Sequence, residues 1–192
     1  MTGYKKMLSW VALALLIQET LTYRRWISVN NGGYWGDWGI LEECPPETSA
    51  RGFSLKVERP LGSSGDDTAL NTIKLHCATK GSTSARYTIT STEGNWGDWT
   101  SISWCPSGHL ISFALKVEPQ QGKGDDTAAN NIMMQCSDHT ILKGDGGPWG
   151  NFGSWSGICP KGICGILTKV EGRQGRGDDT ALNNVQFECC LT

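Results

Sequence analysis

The 192-residue sequence predicts an all-β domain with approximate threefold internal symmetry, three small sheets around one core. Three observations predict it. One set of short motifs recurs three times, each copy carries strand-like alternation bounded by Gly-rich turns, and no window has a helical period.

The first copy contains Trp35-Gly36-Asp37-Trp38, Cys44-Pro45, Phe53-Ser54-Leu55-Lys56-Val57-Glu58, Gly65-Asp66-Asp67-Thr68-Ala69-Leu70-Asn71 and Cys77. The second contains Trp96-Gly97-Asp98-Trp99, Cys105-Pro106, Phe113-Ala114-Leu115-Lys116-Val117-Glu118, Gly124-Asp125-Asp126-Thr127-Ala128-Ala129-Asn130 and Cys136. The third contains Trp149-Gly150, Trp155, Cys159-Pro160, Leu167-Thr168-Lys169-Val170-Glu171, Gly177-Asp178-Asp179-Thr180-Ala181-Leu182-Asn183 and Cys189. The repeats span about 26–80, 87–139 and 140–192.

Each repeat predicts four strands. Trp26–Val29, Tyr87–Thr90 and Thr140–Leu142 are β-rich entries. The Trp-rich stretch supplies a second strand that stops at Cys-Pro, because proline cannot donate to a ladder. Phe53, Leu55 and Val57 alternate with Ser54, Lys56 and Glu58 to give a third, and Ile73, Leu75 and Cys77 alternate with Lys74 and His76 to give a fourth. Gly-rich segments such as Asn31-Gly32-Gly33 and Gly144-Asp145-Gly146-Gly147 separate strands as turns.

Residues 1–22 stand outside this plan. Lys5 and Lys6 precede an apolar run from Met7 to Ile17 that is too short to span a bilayer, the pattern of a signal peptide cleaved near Thr20 to Thr22. A single domain over 23–192, soluble, secreted and extracellular, is expected, with no membrane span. Lys plus Arg number 17 against 19 for Asp plus Glu, so no basic surplus exists to neutralise nucleic acid.

All eight cysteines lie beyond residue 22, and an oxidising compartment predicts disulfides. One bridge is expected within each repeat: Cys44 with Cys77, and Cys105 with Cys136. In the third, Cys159 and Cys164 pair with Cys189 and Cys190, whose consecutive side chains point to opposite faces of a strand. The nested pairing, Cys159 to Cys190 and Cys164 to Cys189, keeps the spacing of the second repeat. The other fits the distance from the Asp-Asp pair, and both stay open.

These thrice-repeated motifs with their paired cysteines resemble the vitelline membrane outer layer protein 1 family. The resemblance implies a β-prism of three Greek-key sheets, stapled by disulfides, in an egg coat or epithelial fluid. It also implies a transferase-like rearrangement of N-acetylchito-oligosaccharides, by residues not assigned. The third repeat departs from the pattern, with Asn151-Phe152-Gly153-Ser154 between Trp149-Gly150 and Trp155.

Candidate ligand-binding residues are the aspartate pairs Asp66, Asp67, Asp125, Asp126, Asp178 and Asp179, and the rings Trp38, Trp99 and Trp155. Glycoside chemistry needs two carboxyls in different environments, and three identical pairs have no such asymmetry. Their competing role is to close turns and answer Lys56, Lys116 and Lys169. The repeated tryptophans are expected chiefly in the core, because indole is mostly buried. Unrepeated polar residues, Glu42, Glu43, Glu93, His109, Asp138, His139 and Asp145, are better candidates for a unique activity but form no known constellation. His76, His109 and His139 read as surface residues. The aspartates lack the loop and terminal Glu of an EF-hand, and neither metal nor cofactor is expected. The sequence thus predicts a structural extracellular protein whose partners are oligosaccharides or mucin-like glycoproteins, with weak glycosyl transfer as the alternative.

Overall fold

Fourteen strands form among the residues described by the computed structural model, 24–59, 69–82, 84–119, 129–172 and 181–191. The first repeat supplies β1 (Trp26–Ile27), β2 (Asp37–Trp38), β3 (Glu42–Glu43), β4 (Ser49–Val57) and β5 (Leu70–Ala78). The second supplies β6 (Tyr87–Ile89), β7 (Asp98–Trp99), β8 (Ser103–Trp104), β9 (Leu110–Val117) and β10 (Ala129–Cys136). The third supplies β11 (Ile141–Lys143), β12 (Asn151–Phe152), β13 (Ile163–Val170) and β14 (Leu182–Cys189). The expected signal peptide and all six motif aspartates lie outside the described residues.

The strands form three antiparallel sheets, each shared between two repeats. The first has the order β6-β5-β4-β7, with β8 also on β4; the second has β11-β10-β9-β12. In both, three consecutive strands are followed by a fourth that returns beside the first, a Greek key. The third sheet, β1-β14-β13-β2 with β3 also on β13, is the same motif assembled from both ends of the chain. The short strands of each repeat therefore finish the sheet begun by the preceding repeat, and those of the first repeat close the ring on the last.

Disulfides follow that shift. Cys44, beyond β3 on the third sheet, bonds Cys77 on the first; Cys105, beyond β8 on the first sheet, bonds Cys136 on the second. Cys159 bonds Cys189, joining the second sheet to the third, and Cys164 bonds Cys190 within the third. The nested alternative is excluded. Cys159 is placed by its N–H, which donates to Ile111 O (2.8 Å), just as Cys44 N–H donates to Cys164 O and Cys105 N–H to Arg51 O. That common hydrogen bond makes Cys159–Cys189 the third copy of the inter-sheet staple and leaves Cys164–Cys190 as the addition.

Each long hairpin carries a β-bulge near both ends. At one end the extra residue is Arg51, Ile111 or Cys164; at the other it is Asn71, Asn130 or Asn183. The motif asparagines are fully buried, and their carbonyls accept from Gly94, Gly147 and Gly33 in the loop that begins the neighbouring Trp strand. The Trp-Gly motif is equally structural. Gly36, Gly97 and Gly150 have φ of 80, 87 and 73°, and a Cβ on each would lie within 2.3 Å of a backbone atom of Val170, Val57 or Val117.

Apolar faces of the three sheets meet on the prism axis. Directly paired residues there are Phe53 with Leu75, Phe113 with Met134, and Ile166 with Phe187. Each sheet contributes one phenylalanine and one aliphatic chain, with the order reversed in the third. Phe113 meets Phe187 edge to face at 4.9 Å.

Candidate functional site

The repeated tryptophans lie outside the core, contrary to expectation. Trp35, Trp38, Trp96, Trp99, Trp149 and Trp155 are 37–56% exposed. The Trp-Gly glycine pins its strand by backbone contact to the edge of the preceding repeat's sheet, so the flanking indoles stand at the rim. Phenylalanine and aliphatic residues, which carry no N–H, fill the axis instead.

The three candidate rings are not equivalent. Trp38 pairs with Lys169 and Trp99 with Lys56, but the corresponding rung opposite Lys116 is held by Phe152. The insertion in the third repeat carries Trp155 past that position. Lys74 Nζ stands 3.6 Å from the centroid of Trp99 and occupies one face of that ring. Trp38 lines a groove.

This groove, about 400 Å³, lies where the edge of the third sheet meets the loop entering β7. Trp38 and Trp96 line it with Asp37, Glu93, Glu171 and Asn71. Trp96 is fixed by its backbone N–H, which donates to Asn71 Oδ1 at 3.1 Å. Thr92 O accepts from Thr168 of the third sheet at 2.7 Å and from Thr72 of the first at 3.4 Å, so the loop bridges both. Glu93 is held by Lys56 (3.7 Å) and by Thr90 Oγ1 (3.2 Å). Two indoles beside carboxylates and an amide offer apolar faces for sugar C–H groups and planar acceptors for hydroxyls.

The motif lysines tie down these Trp loops. Lys56 donates to Gly94 O at 3.0 Å, Lys116 to the carbonyls of Gly147 and Pro148, and Lys169 to Tyr34 O. Their expected aspartate partners lie outside the described residues, as does every motif aspartate proposed for ligand binding.

A second concavity, about 940 Å³, opens at the end of the prism that carries the disulfides. Its walls include Glu43, Glu188, Arg51, Lys80, His109 and Lys161. Arg24 Nη1 donates to Glu188 at 2.8 and 2.9 Å and to Glu43 at 3.1 Å, clamping β1, β3 and β14 together where the ring closes. Glu188 is 3% exposed; burial raises its pKa, and Arg24 opposes that shift. Both carboxylates are committed to this closure.

Two of the three histidines depart from the surface placement expected of them. His76 is 5% exposed beneath Trp104, with Nε2 3.0 Å from Ser54 Oγ; burial and then Lys74 lower its pKa to about 4. His109 is half-buried in the end cleft, and burial, Arg51 and Lys80 lower its pKa. His139 is exposed in a turn with φ of 71°. Among the unrepeated acids, Asp138 accepts from the N–H groups of Ser107 and Thr140, both at 3.0 Å, and those bonds lower its pKa. Asp145 pairs with Arg59 at 2.7 Å. Glu42, on β3, is exposed.

Arg24, Arg51 and Glu188 escaped a search organised around repeats, and Trp96, part of the repeated motif, was not among the candidate ligand-binding residues. A usable signal existed at the residue before the second cysteine, which is His76, Gln135 and then Glu188. Differences at equivalent positions mark where the prism ceases to be threefold.

Residues 25–192 match the family model described as Vitelline membrane outer layer protein I. The chain is 50% identical over 169 residues to vitelline membrane outer layer protein 1 homolog of Homo sapiens, covering 88% of this chain and 84% of the human protein. It is 47% identical over 171 residues to the Mus musculus homolog, covering 88% and 85%. Among solved structures, Calsepa lectin in complex with a bisected glycan aligns with a TM-score of 0.48 at 14% identity, covering 85% of this chain and 96% of the lectin. The artocarpin–mannotriose complex aligns with a TM-score of 0.48 at 13% identity, covering 85% and 97%.

Proposed function

The chain belongs to the vitelline membrane outer layer protein I family, and from that premise we propose that it is a secreted component of an extracellular coat or epithelial fluid that engages oligosaccharides or mucin-like glycoproteins through the Trp38–Trp96 groove. The observation that carries this reading is the pair of exposed indoles beside Asp37, Glu93 and Glu171, Trp38 on β2 and Trp96 on a loop held by both neighbouring sheets. Four disulfides support an oxidising, extracellular setting. In this reading the prism is a rigid support and the groove binds without altering covalent bonds.

Titration of tryptophan fluorescence with an N-acetylglucosamine hexasaccharide and with mucin O-glycans tests the proposal. Saturable quenching is expected, weakened about tenfold by Trp38→Ala or Trp96→Ala and little changed by Trp99→Ala, a loss of about 1.4 kcal/mol. Mass spectrometry of the incubated hexasaccharide is expected to show unchanged chain lengths. Binding unaltered by either groove substitution, or no binding to any of these glycans, overturns the proposal; redistributed chain lengths would favour glycosyl transfer.

A further inference from the structure

We propose that the cleft at the disulfide end of the prism binds the anionic group of an acidic saccharide, a carboxylate or a sulfate ester, at Lys80, His109 and Lys161 in front of the buried Arg51. The choice of a saccharide rests on the coat-protein reading above; recognition of an anion rests on the cleft itself.

The argument begins with Arg51. It is the bulge residue of β4, and the same place holds Ile111 and Cys164 in the other hairpins, so this charge belongs to one edge of the prism only. Arg51 is 4% exposed. Its guanidinium donates to Gly108 O at 2.5 Å, Ser82 O at 2.5 Å and Thr79 O at 3.3 Å, and among the described residues no carboxylate pairs with it. Carbonyls accept from Nε and Nη1 but leave the positive charge uncompensated in a low-dielectric setting, where an approaching anion gains most. The same three bonds hold the 79–82 turn against Gly108, which places Lys80 and His109 on one wall.

His109 adds a second observation. Its Nε2 is sequestered without a hydrogen-bond partner, and both Arg51 and Lys80 disfavour its protonation. Arg51 and Lys80 therefore flank an imidazole kept in its neutral form, and among the described residues no carboxylate pairs with either cation. Lys161, whose Nζ donates to Leu191 O at 3.2 Å, retains further donors for a ligand. Of the carboxylates lining the cleft, Glu43 and Glu188 are clamped by Arg24, and Glu47 is exposed on a turn at its rim. Pro45, Pro46, Leu191 and the Cys164–Cys190 bridge provide apolar lining, and the cleft volume suits two or three sugar rings. A neutral glycan would find no use for the unpaired charge.

Calorimetric titration of the secreted chain with 3′-sialyllactose against lactose, and with a sulfated heparin disaccharide against its desulfated form, tests the inference. At least one acidic sugar is expected to bind about tenfold or more tightly than its neutral counterpart, with affinity falling as salt rises. Lys80→Gln and Lys161→Gln, both at exposed positions, should each weaken it about fivefold, the effect of losing one charge-assisted hydrogen bond. In a Trp38→Ala background the preference for the acidic over the neutral sugar should persist, which separates the cleft from the groove whether or not the groove binds neutral glycans. Preference for the sialylated or the sulfated ligand alone identifies the source of the anion and supports the site. Equal affinity for acidic and neutral sugars, or acidic-sugar binding indifferent to the Lys80→Gln, Lys161→Gln double substitution, overturns it.

Discussion

Acid sensitivity of the fold should be concentrated at His76. Its ring lies on β5, hydrogen-bonded to Ser54 and tilted against Trp104 at 5.7 Å, and burial with the nearby Lys74 sets its pKa at about 4 against an ordinary 6.5. An unfolded chain takes up this proton as pH falls through about 6.5, while the folded protein refuses it until about 4. The neutral ring's contribution to stability is therefore complete above pH 6.5 and is lost progressively down to pH 4. At about 1.4 kcal/mol per pH unit, that interval corresponds to about 3 kcal/mol. Urea unfolding with the disulfides intact, followed at several pH values from about 7 to 4, measures it. The loss of unfolding free energy across this range should be about 3 kcal/mol smaller in His76→Gln than in the parent, whatever other groups contribute to both. Superimposable pH profiles would refute the reasoning, since they would mean that the folded protein protonates His76 at no cost.

Gly97→Ala should destabilise by more than about 2 kcal/mol, because it combines the left-handed backbone with a Cβ 2.2 Å from Val57 C; Gly81→Ala, at φ of 84° with open space around it, should cost only about 1 kcal/mol. Equal thermal shifts for the two would contradict the close-approach account of Trp-Gly. In the core, Phe187→Leu should cost about 1 kcal/mol or more, and adding Ile166→Phe, which reproduces the order of the other two sheets, should recover part of it. Additive losses in chemical denaturation would deny that compensation. Arg24→Ala should lower the melting temperature by leaving the nearly buried Glu188 unpaired, and Glu188→Gln in that background should restore part of the loss. No rescue would show that the clamp is immaterial to ring closure.

Much of the fold was legible because a repeat constrains its own interpretation. Strand alternation at Phe53, Leu55 and Val57, the stop at Cys-Pro and the turns at Gly-Gly are local matters of side-chain period and backbone freedom. Cysteine partners in the first two repeats followed from one bridge per copy. Alternation weakened where a side chain of the same sheet covers its outer face, so Ser54 and His76, polar by pattern, are buried, His76 against Trp104 and Ser54 bonded to His76. The candidate site was legible only in its residue types: Trp38 was named, but Trp96 joins it through a loop held by hydrogen bonds to two other repeats.

Sequence alone determined the threefold plan, the all-β character and the motifs that build each corner, because these depend on residues within a few positions of one another. Tertiary structure alone decided that each sheet borrows its short strands from the next repeat and that the first repeat closes on the last. It also decided that Cys159 bonds Cys189, that the indoles stand at the rim, and that Arg51 is buried with no carboxylate partner among the described residues. Each of these outcomes is set by contacts between residues far apart in the chain, and periodicity carries no information about which distant edge a strand will meet.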